Sequence, residues 1–234
     1  MRVAPFCTLA AAACLLVPAL IAAQGAAAQT EANRLVAGGG ITVTGWTGTT
    51  DKASDLLNTA KLAPEGPGMR VTTGPAVTYW NPANKATGDY TVKATFNEPK
   101  FMNLNDHPHP YGIMIAGNDM GTPQQSYLYC AAYGNGNFIV RGFGPAAFQM
   151  NGRAGGPAAS VHKAAGKDSP VTQDIAVSVK GTKVTCTING ADVATYDKAE
   201  LVTAGKLKST DGVYGIRFAH NTEAIVTGLT MTKN

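Results

Sequence analysis

Apolar and polar positions alternate through the second half of this chain. From residue 174 onward the run reads IAVSV, KGTKVTCTIN, GADVATY, DGVYGIRFA and EAIVTGLTM, short segments separated by turn residues. Successive side chains of a strand point to opposite faces, so this alternation marks strands with one face in a core. Upstream, DYTVKATFNEP repeats the pattern, with Tyr90, Val92, Ala94 and Phe96 on one face and Thr91, Lys93 and Thr95 on the other. ITVTGW at 41–46 reads as a first strand, 69–82 as a strand or hairpin entering a turn at Pro82, and YGIMIAG at 111–117 as an almost wholly apolar strand. Helix is predicted only around 54–62, with Ser54 as its cap, and as a turn at 198–201. Turn signals recur about every eight to twelve positions, which predicts an all-β fold, an antiparallel two-sheet β-sandwich of jelly-roll type.

The segment SYLYCAAYGNGNFIVRGFG predicts its own register. If Gly134, Asn135 and Gly136 form a three-residue loop, Tyr129 opposes Arg141 and Cys130 opposes Val140, and cross-strand partners share a face. Leu128, Cys130, Ala132, Phe138 and Val140 then form a core face, and Tyr127, Tyr129, Tyr133, Asn137, Ile139 and Arg141 form a mixed aromatic and polar face. A two-residue loop would set Arg141 beside Cys130, so the separation of chemistry favours the longer loop. The same parity turns Val184, Cys186 and Ile188 inward before the Asn189-Gly190 turn. It turns Arg217 outward if Tyr214, Ile216 and Phe218 face the core.

The N-terminus changes the picture of the whole chain. Arg2, an apolar run to about Ala23 and the small residues Ala26 to Ala28 form a secretory signal pattern over residues 1–28. A retained anchor helix and a lipoprotein signal at Cys14 are the alternatives. The expectation is a mature chain that is secreted or periplasmic and not inserted in a membrane, with residues 29–39 as a flexible lead-in and 40–234 as a single sandwich domain. About 200 residues suffice for one sizeable core. With 19 Lys and Arg against 15 Asp and Glu, the net charge is +4. The basic residues are scattered, without the stripe that a nucleic-acid partner requires. Cys130 and Cys186 remain after signal removal, a candidate disulfide in an oxidising compartment or else two buried thiols.

Four stretches carry a family likeness: HPYGIMIAGND, the hairpin YLYCAAYGNGNFIVRG, the turn TCTINGADV and DGVYGIRFAHN. With them the chain, from roughly Gly40 to Lys233, resembles the exported concanavalin-like (LamG-like) jelly rolls grouped with 3-keto-disaccharide hydrolase domains. The resemblance implies a curved sandwich whose concave sheet meets a glycan. Its motifs are structural and carry no catalytic residues onto this chain.

Candidate chemistry is sparse. The alternating E-x-D-x-E carboxylates of concanavalin-like glucanases are missing, and most carboxylates sit at turns, where Asp commonly bonds its own backbone. There is no G-x-S-x-G elbow, and GNGNF is hairpin chemistry instead of a dinucleotide fingerprint. His107 and His109 in DHPHP could serve as metal ligands or a general base, but His162 and His220 are distant in sequence, so no metal site is assigned. Asp119 is a weak candidate for Ca²⁺, and no other cofactor is expected. Tyr rings stack on sugar faces while an Arg hydrogen-bonds hydroxyls, so the candidate ligand-binding set is Tyr127, Tyr129, Tyr133, Arg141, Arg217 and His109. The leading reading is a non-catalytic module that binds carbohydrate. A glycoside hydrolase of the 3-keto-disaccharide type and a structural or protein-interaction module of the cell envelope are the alternatives.

Overall fold

The alternating segments become strands that sort into two sheets, each turning one apolar face toward the other. The computed structural model describes Met1, residues 32–152 and residues 155–234. The segment read as a secretory signal, beyond Met1, lies outside the described residues. In chain order the strands are β1 (Gly40–Ile41), β2 (Thr47–Thr50), β3 (Lys61–Glu65), β4 (Gly68–Thr72), β5 (Val77–Ala86), β6 (Tyr90–Glu98), β7 (Tyr111–Asn118) and β8 (Ser126–Ala132). There follow β9 (Asn137–Phe143), β10 (Ala147–Gln149), β11 (Gly156–Pro157), β12 (Val171–Lys180), β13 (Lys183–Ile188), β14 (Ala191–Asp197), β15 (Gly212–Phe218) and β16 (Glu223–Lys233). The first sheet runs β1-β3-β4-β16-β6-β12-β13-β14, and the second β10-β9-β8-β7-β15-β5-β2 with β11 added beside β9. Pairing is antiparallel throughout except between β1 and β3. The predicted all-β sandwich is the fold observed.

The core lies between the sheets. Tyr90, Val92 and Phe96 from the first sheet and Tyr111, Ile113, Leu128, Ile216 and Phe218 from the second are all buried there. The β8–β9 hairpin has the predicted register: Tyr129 pairs with Arg141, Cys130 with Val140 and Ala132 with Phe138. Its loop closes through Tyr133 N–H to Asn137 O at 2.9 Å and Gly136 N–H to Tyr133 O at 3.2 Å. Asn189 and Gly190 turn with φ of 50° and 83°, the left-handed pair that a two-residue hairpin requires. The turn at Lys198–Leu201 is a single helical turn, α1.

Three local expectations are corrected. ITVTGW does not form one strand: Gly45, at φ 79°, turns the chain, so Gly40–Ile41 joins the first sheet and Thr47–Thr50 the second. The helix around 54–62 shrinks to a 3₁₀ turn at Leu57–Thr59 with no side-chain cap from Ser54. Leu62 is captured instead between Ile41 and Val71 and is fully buried. Nor does Pro82 end its strand. Beyond Trp80, β5 has no β2 partner, and Pro82, which cannot donate a ladder bond, occupies that free edge.

Cys130 on β8 and Cys186 on β13, 56 positions apart in sequence, are joined by a disulfide that staples the two sheets, with Cα atoms 6.0 Å apart. By the loop-closure argument, its loss costs about 4 kcal/mol. Denaturant unfolding of Cys130→Ala/Cys186→Ala should show a loss of that order, and reduction of the parent should lower its midpoint in parallel.

Glu98, the last residue of β6, is buried at 4 % exposure. Burial raises its pKa to about 7 against the pull of the Met102 N–H and the Tyr111 hydroxyl, and the Glu223 carboxylate adds to the rise. Between the unfolded value near 4.5 and the folded value near 7, the native state binds more protons than the unfolded state. This contribution is therefore complete below the lower value and is lost as pH rises through the higher one, with a span of roughly 3 kcal/mol. Chemical denaturation between pH 4.5 and 8 should show that decline in the parent, and Glu98→Gln should flatten it.

Candidate functional site

Parity sends a second set of side chains to the outer face of the second sheet. Trp80, Met114, Tyr127, Tyr129, Ala131 and Ile139 form an apolar cluster there, flanked by Met120, Tyr133, Phe143 and Val213. The face assignment matches the sequence reading, but the expected open surface does not. Tyr127 and Tyr129 are only 1 % and 4 % exposed, and Arg217 is 5 % exposed. Parity tells which face a residue takes and not how deeply it lies.

These three residues form a floor. The Tyr127 ring stacks on Phe143 with centroids 5.0 Å apart, and its hydroxyl accepts from Thr78 Oγ1 at 3.0 Å. Arg217 lies over the Tyr129 ring at 5.4 Å, donates to Phe218 O at 2.7 Å and pairs with Asp51 Oδ2 at 2.6 Å. Burial opposes the charge on Arg217, but Asp51 and the two tyrosines outweigh it and hold the guanidinium ionised. Burial likewise pushes the Tyr129 hydroxyl up. Asp51, at the end of β2, was not singled out from the sequence, because a lone turn Asp carries no sign of a partner 166 residues away. Removing one member of a buried pair strands the other. Asp51→Ala should cost about 3 kcal/mol in urea unfolding, whereas Asp51→Glu should recover part of the loss.

Above the floor lie Tyr133, Asn137 and Arg141, all partly exposed, with the Arg141 guanidinium 5.5 Å from the centre of the Phe143 ring. Burial, together with Tyr129, pushes the Tyr133 hydroxyl up to about 12 despite the opposing charge of Arg141. Tyr133, Asn135 and Asn137 form one wall of a pocket of about 300 Å³, whose other wall is the run from His107 to Pro110. Gly134 is required at the tip of the hairpin, since a Cβ there would lie 2.5 Å from the Phe101 ring and 3.0 Å from Glu98 Oε2.

The histidine wall was undervalued in the sequence. From the sequence His109 belongs to the ligand-binding set and no metal site is assigned, because His162 and His220 are distant; folding brings His220 to His107 and His109, and the three ligand atoms fall within 4.8 Å of one another. Since β7 and β15 pair with Tyr111 opposite Phe218, the loop before β7 and the loop after β15 must meet. That pairing is not visible in the sequence. Asn105 Nδ2 donates to Asn221 O at 2.9 Å, and Ala219 N–H to Pro110 O at 2.9 Å, binding the loops together. His109 is 6 % exposed, its Nδ1 lies 2.6 Å from His220 O, and its Nε2 lies 2.8 Å from His107 Nε2. His107 Nδ1 in turn lies 2.5 Å from Asp106 Oδ1. Burial and then the nearby His220 lower the His109 pKa to about 4, and its bond to the His220 carbonyl only partly offsets them.

Other candidates fare differently. The Asp119 carboxylate is engaged by the Lys208 ammonium and half exposed, a poor match for a Ca²⁺ shell of six or more oxygens. Glu65 and Glu223 converge on the first sheet, but the Arg70 guanidinium between them engages both carboxylates. A larger hollow of about 660 Å³ between Pro123 and Lys208 gathers no convergent titratable set. No helix among the described residues is long and apolar enough to cross a membrane.

No protein-family model matches the chain, and no curated protein matches it in sequence. Solved structures do match. The carbohydrate-binding module CBM66 from Bacillus subtilis superposes with a TM-score of 0.53 at 11 % identity, over 83 % of this chain and 99 % of that one. A protein of unknown function with a galectin-like fold, also from Bacillus subtilis, superposes with a TM-score of 0.54 at 13 % identity, over 80 % of this chain and 89 % of that one. At such identities the likeness establishes the concanavalin-like jelly-roll fold.

Proposed function

We propose that this protein is an exported carbohydrate-binding module whose ligand lies on the outer face of the second sheet. The observation that carries this reading is the preformed pocket of about 300 Å³ where Tyr133, Asn135 and Asn137 face the histidine loop, beside Arg141. Its volume is at the lower end for small-ligand sites. An aromatic ring with amide and guanidinium donors suits a sugar, which offers both C–H faces and hydroxyls. The carbohydrate-binding neighbour in fold supports the same class of ligand. Export accords with the signal pattern over residues 1–28 and with the inter-sheet disulfide, which an oxidising compartment preserves.

The module acts by binding alone: the converging Glu65 and Glu223 are occupied by Arg70 on the other sheet. A hydrolytic reading of the 3-keto-disaccharide type has one observation in its favour. His107, oriented by Asp106, faces the pocket as a base with its supporting carboxylate.

Glycan-array screening followed by calorimetry on the leading sugar tests the binding reading. Tyr133→Ala and Arg141→Ala should each weaken binding about tenfold or more, since loss of a central aromatic or Arg contact costs over 1 kcal/mol. Lys183→Ala, on the first sheet, should leave it unchanged. Wild-type protein that retains no sugar, or variants that bind as the parent does, would refute the assignment. Release of sugar from 3-keto-glycosides that disappears in His107→Ala would replace it with the hydrolytic one.

A further inference from the structure

The hydrogen bonds of the histidine cluster constrain its protons. His109 Nδ1 faces the carbonyl oxygen of His220 at 2.6 Å, which can only accept, so that nitrogen carries the hydrogen. His107 Nδ1 faces the Asp106 carboxylate at 2.5 Å and carries its hydrogen for the same reason. Two neutral imidazoles in these tautomers must each present a lone pair at Nε2, and the two Nε2 atoms stand 2.8 Å apart. Facing lone pairs repel, so the geometry calls for a positive centre between or beside them. The His220 ring lies against His109, tilted by 31° with centroids 4.2 Å apart, which brings a third ligating nitrogen within 4.8 Å of the other two.

We propose that His107, His109 and His220 bind one divalent transition-metal ion of the Zn²⁺ class at the pocket between the histidine loop and the 134–136 hairpin. Three neutral imidazoles suit borderline ions and disfavour Ca²⁺ or Mg²⁺, which require oxygen donors. Nitrogens around a tetrahedral ion at about 2.0–2.1 Å lie roughly 3.3 Å apart. The two Nε2 atoms, 2.8 Å apart, are closer than that spacing, and the third nitrogen lies within 4.8 Å, so binding calls for side-chain rotation. The outer contacts are those of a metal centre: a carboxylate behind one imidazole and a backbone carbonyl behind another fix tautomer and ring orientation. Three protein ligands leave a fourth position for water or a ligand hydroxyl. Tyr133, Asn135 and Asn137 line the same pocket. A proton shared between His107 and His109 would also relieve the lone pairs, but it gives no role to the convergence of a third ligating nitrogen within 4.8 Å. The proposal does not depend on the ligand being a glycan.

The test is calorimetric titration of chelator-stripped full-length protein with ZnCl₂, accompanied by inductively coupled plasma analysis of the dialysed complex. One ion per chain is expected. Binding should weaken at least tenfold in His220→Ala and in the half-exposed His107→Ala, and about ten- to a hundredfold in Asp106→Asn. His162→Ala, outside the cluster, should match the parent. CoCl₂ should give visible d–d bands of a four-coordinate site in the parent and lose them in His220→Ala, while far-ultraviolet circular dichroism confirms that the variant is folded. Absence of saturable ZnCl₂ binding by the parent overturns the proposal, as does equal affinity in folded His220→Ala. So does a ¹⁵N spectrum in which His107 and His109 keep a shared proton in excess ZnCl₂.

Discussion

The strict two-residue alternation of the β8–β9 hairpin is the constraint on which the rest of the molecule depends. A three-residue loop sets Cys130 opposite Val140 and Tyr129 opposite Arg141. One residue of slip would move every side chain of the strand to the other face. Cys130 would then lie away from Cys186, and the staple between the sheets would be lost. A slip of β9 instead would turn Phe138 outward and bring Arg141 into the core beside Leu128 and Ile113. Core formation, covalent closure and the aromatic floor are thus consequences of one register. Gly134 protects that register, because the packing of Phe101 and Glu98 beneath the loop leaves no room for a larger residue.

At the pocket end a different residue holds the parts together. Asn221 is fully buried and sits at φ 50°, a left-handed conformation that Asn tolerates. Its side chain accepts from the Arg34 N–H at 2.8 Å and donates to Ala32 O at 2.9 Å. Its own N–H donates to Gly74 O at 3.0 Å, and its carbonyl accepts from Asn105 Nδ2 at 2.9 Å. Three segments far apart in sequence therefore converge on this one residue. The lead-in, read from the sequence as flexible, is fastened at Ala32 and Arg34 by these bonds. With His220 next in sequence, the same knot fixes the carbonyl that orients His109.

What the sequence made legible was local and periodic. Alternation identified the strands, separated Cys130 and Cys186 from Tyr129 and Arg141, and placed Asn189-Gly190 at a turn. Depth was not legible: Tyr127, Tyr129 and Arg217 have the predicted face but are buried, because exposure depends on neighbours such as Asp51 and Phe143 that arrive from other strands. Pairings across long separations were also hidden. His109 and His220 are 111 residues apart, and only the antiparallel pairing of β7 with β15 shows that their loops must meet. The same holds for Pro82, whose place in a strand depends on which edge β2 leaves uncovered.

Rigidity connects the floor to the rim. Arg217 is ionised, buried and held by Asp51, so Tyr129 packs against a fixed guanidinium, and Tyr133 is four residues further along the same chain. On the opposite wall, Pro108 and Pro110 restrict the backbone on both sides of His109. Ordering side chains and loops on binding costs about 0.5–1.5 kcal/mol per mobile side chain, and that cost falls when the groups are already fixed. A pocket of only about 300 Å³ offers a ligand few contacts. Useful affinity at such a site has to come from preorganisation, which the buried ion pair, the proline-bounded loop and the Asn221 knot each supply.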